Sequence, residues 1–161
     1  MHLKELILSD FRNYSHLTVD VSAYSQIALV GQNAQGKSNF LEALYILAFG
    51  SSYRSHKVLD LIAWNKELAH IHGAFVKDLG SQLEIGCTLK NNGKRLFRVN
   101  QQYQQRLSDC IGQVCLVFFS SRELQMILGS PSERRRFLDM LLVQVYPRYY
   151  KVLQTYLKIV Q

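Results

Sequence analysis

Hydrophobic residues change their spacing several times along this chain, and each change marks an element. Leu6, Ile7 and Leu8 predict a first strand that runs into Ser9-Asp10-Phe11-Arg12-Asn13-Tyr14. From His16 to Val21 the period is two, with Leu17, Val19 and Val21 on one face and Thr18 and Asp20 on the other. That is the pattern of a half-buried strand. Ile27–Val30 is wholly apolar and has the length of a buried strand. The spacing then becomes three and four through Leu41, Leu44, Leu47 and Ala48, and Gly50 is a natural helix stop. A short helical pattern surrounds Leu59, Ile62 and Ala63. Ile71–Val76 and the alternation Leu83, Ile85, Cys87, Leu89 predict antiparallel strands, and Asn91-Asn92-Gly93 turns the chain into Arg95–Val99. Val114–Phe119 reads as a further buried strand.

Two Ser-x-x-Glu patterns follow, each a capping box. Ser120 to Glu123 opens a short helix that stops at Gly129. Ser130-Pro131-Ser132-Glu133 opens a longer one, with proline at the first helical position. Its apolar stripe runs through Leu138, Leu142, Val145, Tyr149, Val152 and Tyr156 to the last residue. Pro147 is expected to kink or split it.

Between Ile27–Val30 and the first long helix lies Gly31-Gln32-Asn33-Ala34-Gln35-Gly36-Lys37-Ser38. It matches G-x-x-x-x-G-K-[ST] at every fixed position, in the strand–loop–helix order a phosphate-binding loop requires. Gly31 and Gly36 let the backbone wrap so that its N–H groups face a β-phosphate. The start of the following helix adds a positive dipole end at the same place. Lys37 is expected to bridge the β- and γ-phosphates and Ser38 to ligate magnesium. Gly31, Gln32, Asn33, Ala34, Gln35, Gly36, Lys37 and Ser38 are therefore the expected nucleotide cradle.

Composition narrows the setting. A length of 161 residues suits one domain with a real core, and 48% hydrophobic content excludes a disordered chain. No apolar run approaches the roughly 20 residues that span a bilayer, and no basic-then-apolar segment opens the chain, so a cytoplasmic protein is expected. Cys87, Cys110 and Cys115 form no C-x-x-C pair and are read as reduced thiols packed like small apolar groups. His70 and His72 alternate along a strand without a cysteine partner. The net charge of +7 and pI of about 9.4 point to anionic partners, with basic clusters at Arg134-Arg135-Arg136 and at Lys90, Lys94, Arg95 and Arg98. Val114–Phe119 ends in Ser120-Ser121 instead of the acidic pair that holds magnesium and polarises water in P-loop hydrolases, so the catalytic residue stays unassigned.

Three blocks together carry a resemblance. They are Leu8 to Tyr14 (Leu-x-x-Phe-Arg-Asn-Tyr), GQNAQGKSNFLEALYILAFGSSYR from Gly31 to Arg54, and GSPSERRRFLD from Gly129 to Asp139. In this order they resemble the RecF family of bacterial recombination and gap-repair ATPases, whose head is similar to those of SMC-type and ABC-type ATPases. The resemblance implies an α/β P-loop NTPase head with an added antiparallel sheet and a helical lobe. Residues 1–129 would form the head and 130–161 the start of the lobe. Because members are about twice this length, it implies an N-terminal fragment, with the signature motif and the acidic Walker B strand in the missing half.

By the same resemblance Arg12 and Asn13 match an element beside the nucleotide, and Arg54 matches a basic position after the P-loop helix. ATP and Mg2+ are the implied cofactors. An ATP-dependent homodimer, duplex DNA near single-strand gaps, and RecR and RecO, which help to load RecA, are the implied partners. One segment departs from the family pattern: members commonly read Phe-x-Pro-Glu-Asp-Leu where this chain has Phe119-Ser120-Ser121-Arg122-Glu123-Leu124. Two rival readings are an inactive truncated fragment and an ABC-type transporter ATPase subunit. The second is disfavoured because such chains carry their signature motif within this length.

Overall fold

The fold is that of a computed structural model, which describes residues 1–78, 80–120, 125–146 and 148–160. The period-two segments do what alternation dictates and pair into one six-stranded antiparallel sheet of order β2-β1-β3-β4-β5-β6. Its strands are β1 (His2–Phe11), β2 (Tyr14–Asp20), β3 (Leu68–Val76), β4 (Gln82–Lys90), β5 (Arg95–Val99) and β6 (Gln102–Gln104). Leu6 and Leu8 of β1, Ile71 of β3, and Ile85, Cys87 and Leu89 of β4 share the buried face. His70 and His72 point the other way, and His70 Nδ1 lies 3.0 Å from Thr88 Oγ1 across the β3–β4 ladder. Asn92 and Gly93 form the expected turn into β5.

The helix α1 (Lys37–Phe49) lies on the buried face through Ala43, Ile46, Leu47 and Ala48, and it stops at Gly50, whose N–H donates to Ile46 O. Helix and sheet meet tightly at Gly73 in β3, where a Cβ would stand 2.8 Å from Leu47 Cδ1 and from the Phe75 ring. Glycine at that spot lets helix and sheet meet. Gly73→Val is therefore expected to overpack this layer and cost about 1–3 kcal/mol, read as a lower denaturant midpoint. An unchanged midpoint would mean the helix–sheet contact is soft. A one-turn 3-10 helix at Val58–Leu61 follows, and a second one lies at Leu107–Asp109.

The chain divides into two compact units, Met1–Cys110 and Ile111–Gln161. In the second, α2 (Gln125–Leu128), α3 (Pro131–Val145) and α4 (Tyr149–Val160) follow one another. The long helical pattern is split between Val145 and Tyr149, as a proline there demands; Pro147 itself lies outside the described residues. The Tyr149 hydroxyl donates to Asp139 Oδ1 at 2.6 Å, tying α4 to α3 and raising the tyrosine pKa. Ser130 stands at the N-cap of α3 with Pro131 next, but no side-chain cap bond forms, because its hydroxyl pairs with that of Ser132. The other capping box, at Ser120 to Glu123, falls largely outside the described residues.

Three expectations are corrected. Ile27–Val30 and Val114–Phe119 are not strands: among the described residues neither belongs to a ladder. A strand is stabilised by the hydrogen bonds of a neighbouring strand, and the described sheet offers neither run one; the Leu116 N–H donates instead to the Gln144 side chain. Val30, Val117 and Phe119 are instead 91%, 92% and 81% exposed. The third correction is Cys115, which is exposed, whereas Cys87 and Cys110 are buried.

Burial pushes the Cys87 thiol far up, and it pushes Cys110 to about 11 with the Asp109 charge adding to the effect. Iodoacetamide at neutral pH is accordingly expected to label Cys115 alone in the folded chain, and all three thiols in denaturant. Native labelling of Cys87 would contradict this packing. The exposed apolar side chains Val152, Tyr156, Ile159 and Val160 of α4 add to Val30, Val117 and Phe119. Surfaces of this kind drive association. The chain is expected to sediment as oligomers with or without ATP, and a stable monomer that unfolds cooperatively would contradict that expectation.

Candidate functional site: the loop at the start of α1

The loop Gly31–Ser38 ends on the first residues of α1, and Gly36 is the N-cap of that helix. Gly36 takes φ 105°, a conformation glycine adopts freely and other residues rarely. Its carbonyl accepts the N–H of Asn39 at 2.7 Å and of Phe40 at 3.0 Å. A Cβ there would lie 2.8 Å from the Tyr14 ring and hydroxyl and 2.9 Å from Asn13 Oδ1. Nothing larger than glycine fits between the loop and the β1–β2 turn.

Lys37 folds back over the loop, its ammonium donating to Gly31 O at 2.7 Å and to Gln32 O at 2.6 Å. The ammonium thus rests on two loop carbonyls at the mouth of the loop. Residues 31–35 and Ser38 are exposed, so the cradle opens to solvent. The donor set suits a polyphosphate: a lysine ammonium, a helix N-terminus and a hydroxyl at the next position. Among the described residues no three His, Cys, Asp or Glu side chains gather to hold a metal.

Arg12 and Asn13 form the two-residue turn between β1 and β2, since Phe11 pairs with Tyr14. Arg12 sits at φ 55°, a strained place for a long side chain, and strain of this sort gathers at functional sites. Its side chain is wholly engaged. Nε and Nη2 donate to Glu42 Oε2 and Oε1 at 3.0 and 2.8 Å, and Nη1 donates to Asp60 O at 2.6 Å. Asn13 Oδ1 accepts Asn39 Nδ2 at 2.8 Å, and Asn39 Oδ1 accepts Arg54 Nη1 at 2.6 Å. Asn39 and Glu42 of α1 thus tie Arg12 and Asn13, which the resemblance put beside the nucleotide, to Arg54, which it put after the P-loop helix.

Sequence reasoning missed Glu42, Asn39 and Ser52. Glu42 is fully buried, and besides Arg12 it accepts Ser52 Oγ and, at 3.4 Å, Arg54 Nη1. A signal did exist: Glu42 is the single acid in a helix whose neighbouring positions are apolar, and a buried carboxylate requires a cationic partner.

A sheet-backed helix that begins at a Gly-Lys-Ser loop, with arginine-bearing segments at its side, is the arrangement of a P-loop ATPase head. The chain belongs to the AAA ATPase domain family, whose model matches residues 1–116. It is 43% identical to the DNA replication and repair protein RecF of Halalkalibacterium halodurans, over 99% of this chain and 42% of that protein. A solved structure described as the recombination mediator protein RecF-ATP in the RecFOR pathway matches 98% of this chain and 43% of its own, with TM-score 0.85 and 28% identity. An SMC ATPase studied for ATP-driven dimerisation and DNA-stimulated activation shares the fold, with TM-score 0.68 over 88% of this chain at 22% identity. The chain spans about 42% of the length of the curated relatives it matches. No described helix is long and apolar enough to cross a membrane.

Proposed function

We propose that this chain is the nucleotide-binding part of a DNA replication and repair ATPase of the RecF kind. ATP sits with its phosphates on Gly31 to Ser38, Lys37 moving from the loop carbonyls to the β- and γ-phosphates and Ser38 ligating Mg2+. Arg12 and Asn13 border the nucleotide. Residues 1–129 serve as the head, and the helical lobe begins at residue 130. The observation that carries this reading is the Gly36–Lys37 geometry, a glycine-only N-cap with an ammonium held over the loop.

The likeness to a DNA replication and repair protein, to a RecFOR-pathway recombination mediator and to an SMC ATPase with ATP-driven dimerisation supports the coarse setting. Within it, our reading for the whole protein is ATP-dependent homodimerisation, a grip on duplex DNA near single-strand gaps, and work with RecR and RecO in loading RecA in the cytoplasm. DNA contacts in this reading go mainly to phosphates, so they weaken with salt. In a chain of the relatives' full length, Lys37→Ala is expected to lose ATP-dependent dimerisation and DNA binding together. Wild-type DNA affinity with ATP in that variant would sink the coupling.

This chain alone is expected to hydrolyse ATP more slowly than about 0.01 per second, in the range of P-loop folds lacking their catalytic partners. The reason is chemical. Glu42, the carboxylate of the P-loop helix, is buried and already held by two arginines and a serine, so it cannot orient water. Faster turnover that disappears with Lys37→Ala would contradict this.

A further inference from the structure

We infer that Glu42 is a positioning residue for the nucleotide site, the buried carboxylate that holds the Arg12–Asn13 turn and Arg54 in register with the phosphate loop. The inference rests on the reading of Gly31–Ser38 as a nucleotide site. Glu42 is 0% exposed, yet it sits among Phe40, Ala43, Ile46 and Leu47, which already anchor α1 in the core. A carboxylate is a costly way to fill such a place, because a buried ion pair seldom stabilises more than apolar packing of the same volume. Its partners show what it does instead. Arg12 arrives from the β1–β2 turn and delivers two N–H groups, at 3.0 and 2.8 Å. Arg54 arrives from the segment after α1 and reaches Oε2 at 3.4 Å.

Ser52 makes the arrangement rigid. Its hydroxyl donates to Glu42 and accepts the backbone N–H groups of Arg54 at 2.9 Å and Ser55 at 3.0 Å. Arg54 is thereby fixed through both backbone and side chain, and its Nη1 also binds Asn39 in the first turn of α1. Two arginines against one carboxylate leave a net positive charge beside the loop. Among the described residues Nε and Nη2 of Arg54 have no acceptor, and its side chain is 39% exposed. An anionic ligand on the loop meets a cationic edge whose place Glu42 sets. Arg12 is the buttress on the other side, joined to the 3-10 helix through Asp60 O and, by its own N–H, to Leu61 O.

The test is a double-variant cycle on ATP affinity, with thermal unfolding measured for every protein. Glu42→Gln keeps the shape but turns an amide toward guanidinium donors. It is expected to weaken ATP binding roughly tenfold, the scale of about one lost charge-assisted contact. Arg54→Ala is expected to do the same, and the pair together no worse than the weaker single variant, because both changes remove one interaction. Ser52→Ala introduces no unpaired charge and repeats the test should Glu42→Gln fail to fold. Its expected loss is smaller, and it too should vanish in the Arg54→Ala background. Wild-type ATP affinity in Glu42→Gln, or losses that multiply in the pair, would overturn the positioning role while leaving the nucleotide site standing. A wild-type chain without saturable ATP binding would overturn both.

Discussion

Gly36→Ala should remove nucleotide binding and lower the stability of the chain by about 2–4 kcal/mol. The first part of the cost is backbone strain, since φ 105° lies where an L side chain is rarely found and holding one there costs about 1–3 kcal/mol. The second part is steric. The new methyl would arrive 2.8 Å from the ring of Tyr14 and 2.9 Å from Asn13 Oδ1, well inside contact distance. Neither neighbour yields easily: Tyr14 begins β2, and Asn13 is held by Asn39 at 2.8 Å. Relief has to come from moving the loop itself, which displaces the helix start that the phosphate needs. Urea denaturation and ATP titration of the same variant read the two effects. A variant with wild-type affinity would show that the loop adopts another conformation when it binds.

Glu42→Ala is expected to destabilise the first compact unit by about 3 kcal/mol or somewhat more. Removing one partner of a buried pair leaves the other charge uncompensated, which typically costs about 3–5 kcal/mol. Arg12 is the group stranded, with only 19% of its side chain exposed; Arg54, at 39%, can turn to water, so the lower part of that range applies. Ser52 loses its acceptor as well, and with it the geometry that binds the N–H groups of Arg54 and Ser55. Such a loss is a large fraction of the roughly 5–15 kcal/mol that holds a domain together. Equilibrium denaturation measures it, and a change below about 1 kcal/mol would mean that Arg12 finds water or another acceptor.

The parts of this fold legible in the sequence are those whose information is local. The loop motif carries its own geometry, and α1 follows from the spacing of Leu41, Leu44 and Leu47 together with the Gly50 stop. Asn92-Gly93 turns the chain by itself, so the β4–β5 hairpin needed no long-range knowledge. The errors are non-local. Apolar runs such as Ile27–Val30 and Val114–Phe119 say that a segment can be a buried strand, but not that a neighbour lies beside it. The pairing of β1 with β3, more than fifty residues apart in the chain, was equally invisible. At Ser130 the pattern placed the cap correctly, and a nearer hydroxyl took the side chain. Glu42 lay in between: its burial was readable from its apolar neighbours, its partners only from the fold.

The most direct measurement is isothermal titration of this chain with ATP and with adenosine in magnesium buffer, repeated on Lys37→Ala. Adenosine lacks the phosphates, and Lys37→Ala lacks the ammonium now resting on Gly31 O and Gln32 O. The account expects saturable ATP binding, no measurable adenosine binding, and an affinity for ATP lowered about tenfold or more by Lys37→Ala, the loss expected of a charged contact. Equal affinity for ATP and adenosine, or an unchanged ATP affinity in Lys37→Ala, would contradict the assignment of this loop as a phosphate cradle.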